Sequence, residues 1–330
     1  MDINIQYLGS RKQTDILQYT LKNDLGMEVH LLNWGATIRR ILLPFSDGSR
    51  KNIVLSYADW TDYIDNPIYA GATLGPVTGQ QYNNGLVSYP SIRNWAELET
   101  RVDQEGCSVT LSAVFSDGEG GHPGKRELKV IYTLNNDNAF RIRYLGTTDS
   151  ETYLNLSNQT YLNLSGDFTR SALEQQLQIN SSVAVMNYRD LTPAAYSPST
   201  HSPFDFSISQ RISNQLLKYQ KNSQLQIAKG YHHTFLLDNP SIGSRALTLR
   251  SDSSGYSMEL YTDAPAFILY SGGLIDNSLY LMGDLKSQKS CAVLLSPQDL
   301  PDAPNFCPER CRYTTPNSPY ERTIIYRFRK

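Results

Sequence analysis

An all-β, antiparallel sandwich is the fold class that this 330-residue sequence predicts. Three observations carry it. Apolar residues recur with a period of two, polar turn signatures separate the periodic runs, and no strand–helix alternation accompanies them. The clearest run is Leu128, Val130, Tyr132 and Leu134, alternating with Lys129, Ile131 and Thr133. An Asn-Asn-Asp-Asn turn at 135–138 follows, and Phe140, Ile142 and Tyr144 then alternate with Arg141 and Arg143. This predicts a hairpin. Leu247 and Leu249, a Ser/Asp/Gly turn at 251–255, and Met258, Leu260 and Thr262 predict a second hairpin. The chain ends on a strand carrying Ile324, Tyr326 and Phe328, and earlier strands fit residues 15–23, 27–33, 37–44 and 52–57. Only 60–64 and 208–219 read as short helices. Ser/Pro-rich stretches at 196–203 and 314–319 read as surface loops rather than linkers, so residues 1–330 are expected to form one domain.

Composition narrows the function classes. A formal net charge of −2 gives no basic face for phosphate neutralisation, so no nucleic-acid partner is expected. No apolar run approaches the roughly 18 residues of a membrane span, and residues 1–18 lack the apolar core of a signal peptide. The expectation is a cytoplasmic protein without a membrane partner, monomeric or homodimeric. Four cysteines (Cys107, Cys291, Cys307 and Cys311) are too few for a disulfide framework, and Cys307 and Cys311 have no second pair to complete a zinc site. They read as free thiols, and no metal is expected. The 22 tyrosines suit half-buried strands.

Seven segments, in order, resemble the aldose 1-epimerase (galactose mutarotase) family. They are Asn33-Trp34-Gly35-Ala36 with Asp47-Gly48; the run from Asn52 through Tyr63 to Tyr69-Ala70-Gly71-Ala72-Thr73-Leu74-Gly75; Gly121-His122-Pro123-Gly124; TYLNLSNQTYLNLSG at 152–166; Ser202-Pro203-Phe204-Asp205-Phe206; Gly230-Tyr231-His232-His233-Thr234-Phe235; and Ser296-Pro297-Gln298 with Pro301-Asp302 and Asn305. Together they run from about Asn33 to Phe328. The resemblance implies a large galactose-mutarotase-like β-sandwich, or supersandwich, that acts on a small-molecule carbohydrate, a monosaccharide or a derivative, and needs no metal or organic cofactor.

The family's reaction interconverts sugar anomers. A base takes the anomeric hydroxyl proton, an acid protonates the ring oxygen, and the ring opens and recloses. Each proton-transfer group in such chemistry contributes about 10²–10⁴ in rate. Carried onto this sequence, the family's acid histidine falls on Gln159 and its base glutamate on Ser296. An amide exchanges no proton at neutral pH, and an unassisted hydroxyl is no base. The substrate-holding arginine falls on Pro76, the neighbouring Asn and Arg on Gly79 and Gln80, and the aspartate of the GYDHNF-like strand on His232. The Leu-His-Gly-Gly segment has no counterpart, because no histidine lies between Val77 and Gly121.

Two readings follow. In the first, Asn158, Gln159, His232, His233, Ser296 and Gln298 line a polar groove that binds a free sugar with mutarotation weak or lost. In the second, a rebuilt acid/base pair acts, with His232 as the replacement and Asp299 or Asp302 as its carboxylate partner. Among other carbohydrate-processing classes, lyases and hydrolases, a glycosidase would require two facing carboxylates, which no motif supplies. His30 reads as a strand-face residue, His122 as part of a turn and His201 as part of a loop. Adjacent His232 and His233 on one strand are expected to point to opposite faces.

Overall fold

The computed structural model describes residues 1–79 and 92–330 in full, and the backbone of Gln80–Gln81 and Leu86–Val87. Three antiparallel sheets dominate. The first holds five strands in chain order: Asp2–Arg11, Thr14–Lys22, Glu28–Leu32, Thr37–Pro44 and Arg50–Asn52. The second holds nine strands, with Arg126–Leu134, Ala139–Thr148, Tyr320–Arg329 and Ser257–Thr262 among its central members. The third holds six, in the order Tyr161–Leu162, Val293–Gln298, Ala266–Tyr270, His232–Leu236, Val183–Asn187 and Pro193–Pro198.

Period-two burial explains how the sheets stack. In the hairpin, Val130 faces Tyr144, Tyr132 faces Ile142 and Leu134 faces Phe140, and all six are fully buried. Asn135 closes the turn: its Oδ1 accepts the amides of Asp137 at 2.9 Å and Ala139 at 3.1 Å, the backbone mimicry that makes Asn a turn residue. One continuous core joins this inner face to Leu21, Val29 and Ile38 of the five-stranded sheet and to Phe235, Phe267, Leu269, Val293 and Leu295 of the six-stranded one.

Several expected boundaries moved, each for a local reason. The run at 52–57 is not a continuous strand. The Asn52 side chain turns back on Val54, accepting its amide at 3.1 Å and donating to its carbonyl at 2.7 Å. Val54 and Tyr57 therefore make only isolated bridges, to Leu162 and Leu281. The helix read at 208–219 begins later, at Ile212–Lys218, because Gln210–Arg211 pairs as a strand with Gln176 and Leu177. The helix read at 60–64 is Asp62–Asp65. The strand Asp2–Arg11 was not expected from the sequence. Its turn to Thr14–Lys22 is made by Lys12 and Gln13, both at positive φ (46° and 64°), where a tight hairpin ordinarily shows Asn-Gly. All four cysteines are free thiols. Among the described residues no helix is long and apolar enough to cross a membrane.

The strand Cys107–Phe115 offers an internal test of the layering, since Leu111 is fully buried and Val114 is half exposed. Leu111→Ala is expected to cost about 2–5 kcal/mol in urea unfolding. Val114→Ala is expected to change stability by no more than about 0.5 kcal/mol.

Candidate functional site

The six-stranded sheet has two chemically distinct faces. Phe235, Phe267, Leu269, Val293 and Leu295 point into the core. Their neighbours in sequence point the other way, onto the floor of a cavity of about 510 Å³. Register arranges that floor in rows. Tyr161, Leu294, Tyr270 and His232 form one row across four strands, Ser296 and Ile268 form the next, and Gln298 lies beyond, opposite Ala266. Pro67, Ile68 and Tyr69 form a wall, with Leu74, Thr78, Gly79, Gln159 and Leu274 closing the rest. The volume is that of a small-molecule site.

Each polar group on the floor is held in place. Gln159 donates through Nε2 to the Tyr161 hydroxyl at 3.0 Å and to the Ile68 carbonyl at 3.4 Å. Its backbone is fixed on both sides, accepting from Gly71 at 2.9 Å and donating to Ala72 at 3.0 Å. Gly71 must be glycine: its φ is +67°, and a Cβ there would lie 2.0 Å from the Ile38 carbonyl oxygen. Ser296 Oγ lies 2.6 Å from Ser157 Oγ, which itself donates to the Pro297 carbonyl at 2.6 Å. Ser157 has one hydroxyl proton and spends it on Pro297, so Ser296 donates to Ser157 and offers the cavity only lone pairs. Gln298 is 1% exposed, and its Oε1 has no partner. His232 is half-buried beside Tyr270, with ring centroids 5.2 Å apart, and its Nδ1 also lacks a partner. Two buried polar atoms without partners on one cavity floor carry a desolvation cost that a hydrogen-bonding ligand relieves.

The electrostatics of the cavity are those of a neutral site. Burial lowers the pKa of His232, so its imidazole is uncharged at neutral pH. Burial raises the phenol pKa values of Tyr161 and Tyr270 above the ordinary value. Among the described residues, no Asp, Glu, Lys or Arg lines the cavity. The stretch at 80–91, which follows Gly79 in sequence, contains none of these residues and no histidine.

Four of the six expected site residues, Gln159, His232, Ser296 and Gln298, line this cavity. Asn158 and His233 do not, and each is a correction with a structural cause. Asn158 is fully buried. Its amide donates to the Gly71 carbonyl at 3.1 Å, and its Oδ1 accepts from Thr160, so it fastens two loops together. His233 points to the core face, as alternation requires, and packs on Phe204 at 4.7 Å. Its Nδ1 accepts the His232 amide at 3.1 Å, and burial, followed by the neighbouring His232, pushes its pKa down to about 3.

The carboxylates expected to partner His232 are also elsewhere. Asp299 leaves the sheet on the side opposite Gln298. It accepts from Arg322 at 2.5 Å and from the Tyr153 hydroxyl at 3.2 Å, and it lines a separate cavity with Arg310 and Arg312. Asp302 is an αL residue (φ 52°) whose amide donates to the Gly79 carbonyl at 2.6 Å and whose Oδ1 accepts from Asn305 at 2.8 Å. Pro76 is not among the cavity residues, and its carbonyl accepts the Asn155 amide at 2.9 Å. The Gln80 side chain and most of the sequence between it and residue 91 lie outside the described residues. Tyr69, Tyr161, Ile268, Tyr270, Leu274 and Leu294 also line the cavity and were not expected there from the sequence. Tyr161 lies inside the 152–166 motif, whereas Tyr270 reaches the site only because its strand pairs with His232.

Fold and cavity together define an antiparallel β-sandwich protein with a cavity of small-molecule size on the open face of its six-stranded sheet. The Aldose 1-epimerase family model matches residues 17–90 and 78–327. The chain is 29% identical over 306 residues to the aldose 1-epimerase of Haemophilus influenzae, covering 87% of each. It is 23% identical over 351 residues to the maltose epimerase of Levilactobacillus brevis, covering 99% of each. The crystal structure of galactose 1-epimerase from Lactobacillus acidophilus superposes with a TM-score of 0.84 at 25% identity, over 100% of this chain and 99% of that one. The chain belongs to the aldose 1-epimerase family.

Buried neutral histidines make folding pH-dependent. His233 has a folded pKa near 3 against an ordinary 6.5, so below pH 6.5 the unfolded chain binds a proton that the folded one does not. Its contribution is fully present above pH 6.5 and is lost as pH falls toward 3; burial of His232 acts in the same direction. The melting midpoint is expected to fall between pH 6.5 and 4. His233→Asn should flatten that slope when calorimetry is repeated across the range.

Proposed function

We propose that this protein is a family member that binds a free sugar, a monosaccharide or a derivative of one, in the cavity over its six-stranded sheet, with mutarotase activity weak or lost. The observation that carries this reading is the absence, among the described cavity residues, of any acid/base pair able to move protons near neutral pH. Mutarotation needs a base at the anomeric hydroxyl and an acid at the ring oxygen. The floor offers an amide at Gln159, a hydroxyl committed to Ser157 at Ser296, and a single neutral imidazole. From strand spacing and rise, the His232 and Ser296 backbones lie about 12 Å apart, two strands across and two residues along. With Asp299 and Asp302 bonded elsewhere, His232 has no carboxylate to complete a pair.

Binding asks less of the same groups. The free acceptor of Gln298, the free ring nitrogen of His232 and the lone pairs of Ser296 suit sugar hydroxyls, and the Tyr270 and Tyr161 rings suit the apolar face of a pyranose. The ligand is uncharged, because no charge in the cavity would compensate one on it. The protein acts as one cytoplasmic domain over 1–330, without cofactor, nucleic acid or membrane.

Isothermal titration with a panel of neutral aldoses and disaccharides tests the reading. At least one neutral sugar is expected to bind at or below millimolar concentration, and Gln298→Ala is expected to weaken it about tenfold, near the value of one buried hydrogen bond. No binding by any sugar of the panel would contradict it. The chemical half has its own test: the double substitution Gln159→His with Ser296→Glu is expected to raise the mutarotation rate at least about 10²-fold over the native protein.

A further inference from the structure

The outer face of the five-stranded sheet carries a second feature, unrelated to the sugar cavity. Ile38 and Ile41 both enter the core although they are three residues apart, a spacing that strict alternation would place on opposite faces. A register shift between His30 and Leu31 opposite Arg39 resolves this: Leu31 pairs with Ile38 and His30 with Arg40, leaving Arg39 as the extra residue of a bulge. Arg39 and Arg40 consequently project together from the outer face, with His30 directly opposite Arg40.

Neither guanidinium meets a carboxylate. Arg39 is 7% exposed; its Nη1 donates to the Gln18 amide oxygen at 2.8 Å, its Cζ lies 6.0 Å from the Tyr63 ring centroid, and its Nε has no partner. Arg40 is half-buried, and among the described residues its side chain has no hydrogen bond or ion pair. His30 is 9% exposed; its Nε2 faces Glu28 at 3.4 Å, while its Nδ1 is unpartnered. Glu28, the acid at this face, is already shared among His30, Lys22 at 3.6 Å and Arg50. Asp59, the next acid that Arg39 influences, is occupied by the Thr61 amide and hydroxyl, each at 2.8 Å. Two adjacent, desolvated guanidiniums repel each other and leave N–H donors unspent, which is costly unless an anion joins them.

We propose that Arg39, Arg40 and His30 form a binding site for a tetrahedral oxyanion of the phosphate class. Guanidinium forks match two oxygens of such a group at once, and the His30 Nδ1, left as an acceptor because the Nε2 hydrogen faces Glu28, would take the proton of a P–OH group. The ligand is either free inorganic phosphate or the phosphoryl group of a larger molecule, such as a sugar phosphate.

Thermal unfolding of the full chain in inorganic phosphate, against chloride at matched ionic strength, tests this site. The native protein is expected to show a saturating rise in midpoint of about 1–3 °C in millimolar phosphate. Arg40→Gln should fold normally, with an unchanged or higher midpoint in chloride, and lose the phosphate response. Arg39→Gln should lose it too, and the distant Arg329→Gln should keep it. Glucose 6-phosphate raising the midpoint more than inorganic phosphate at equal concentration, with glucose alone as the baseline, assigns the larger ligand; an equal rise assigns the free ion. No rise in the native protein, or a rise that survives in Arg40→Gln, overturns the proposal.

Discussion

Everything at the candidate site depends on the two-residue period of the six-stranded sheet. One set of side chains (Phe235, Phe267, Leu269, Val293, Leu295) anchors the sheet in the core, and the interleaved set forms the cavity floor. The site cannot shift by one residue without exchanging a hydrophobic anchor for a polar ligand group. That coupling fixes His232, Ser296 and Gln298 more firmly than any hydrogen bond they make. It also sends His233 into the core, where it must stay neutral.

Much of the fold was legible because the longest strands bury one face cleanly. The hairpin joining Arg126–Leu134 to Ala139–Thr148 shows full alternation and an Asn-rich turn, so pattern and turn chemistry agree. Legibility failed where side chains override pattern. Asn52 bends an apolar run out of a strand, and Lys12-Gln13 makes a tight turn without a turn signature. At the site, the motif residues Gln159, His232, Ser296 and Gln298 line the cavity, whereas Asn158 is buried away from it, fastened to the distant Gly71 carbonyl. The apolar lining was illegible for the same reason: Ile268 and Tyr270 reach the cavity through strand pairing, and Leu274 through a loop in which its amide donates to the Tyr270 hydroxyl, neither of which local sequence announces.

The polar groups of the cavity are arranged for hydrogen bonding and poorly arranged for proton transfer. Ser157 and Pro297 consume the hydroxyl hydrogen of the Ser296 neighbourhood, Tyr161 and Ile68 hold Gln159, and the carboxylates of the two acids that follow Gln298 accept from Arg322 and Asn305. Family membership fixes the architecture, while activity belongs to the site built on it. Here the architecture is retained and the cavity is electrically neutral.

Polarimetry of freshly dissolved α-galactose with the native protein tests this most directly. The account predicts that micromolar protein leaves the approach to anomeric equilibrium at the spontaneous rate, from pH 6 to 8. A protein-dependent acceleration of about 10²-fold or more, the contribution of even one working proton-transfer group, would contradict it.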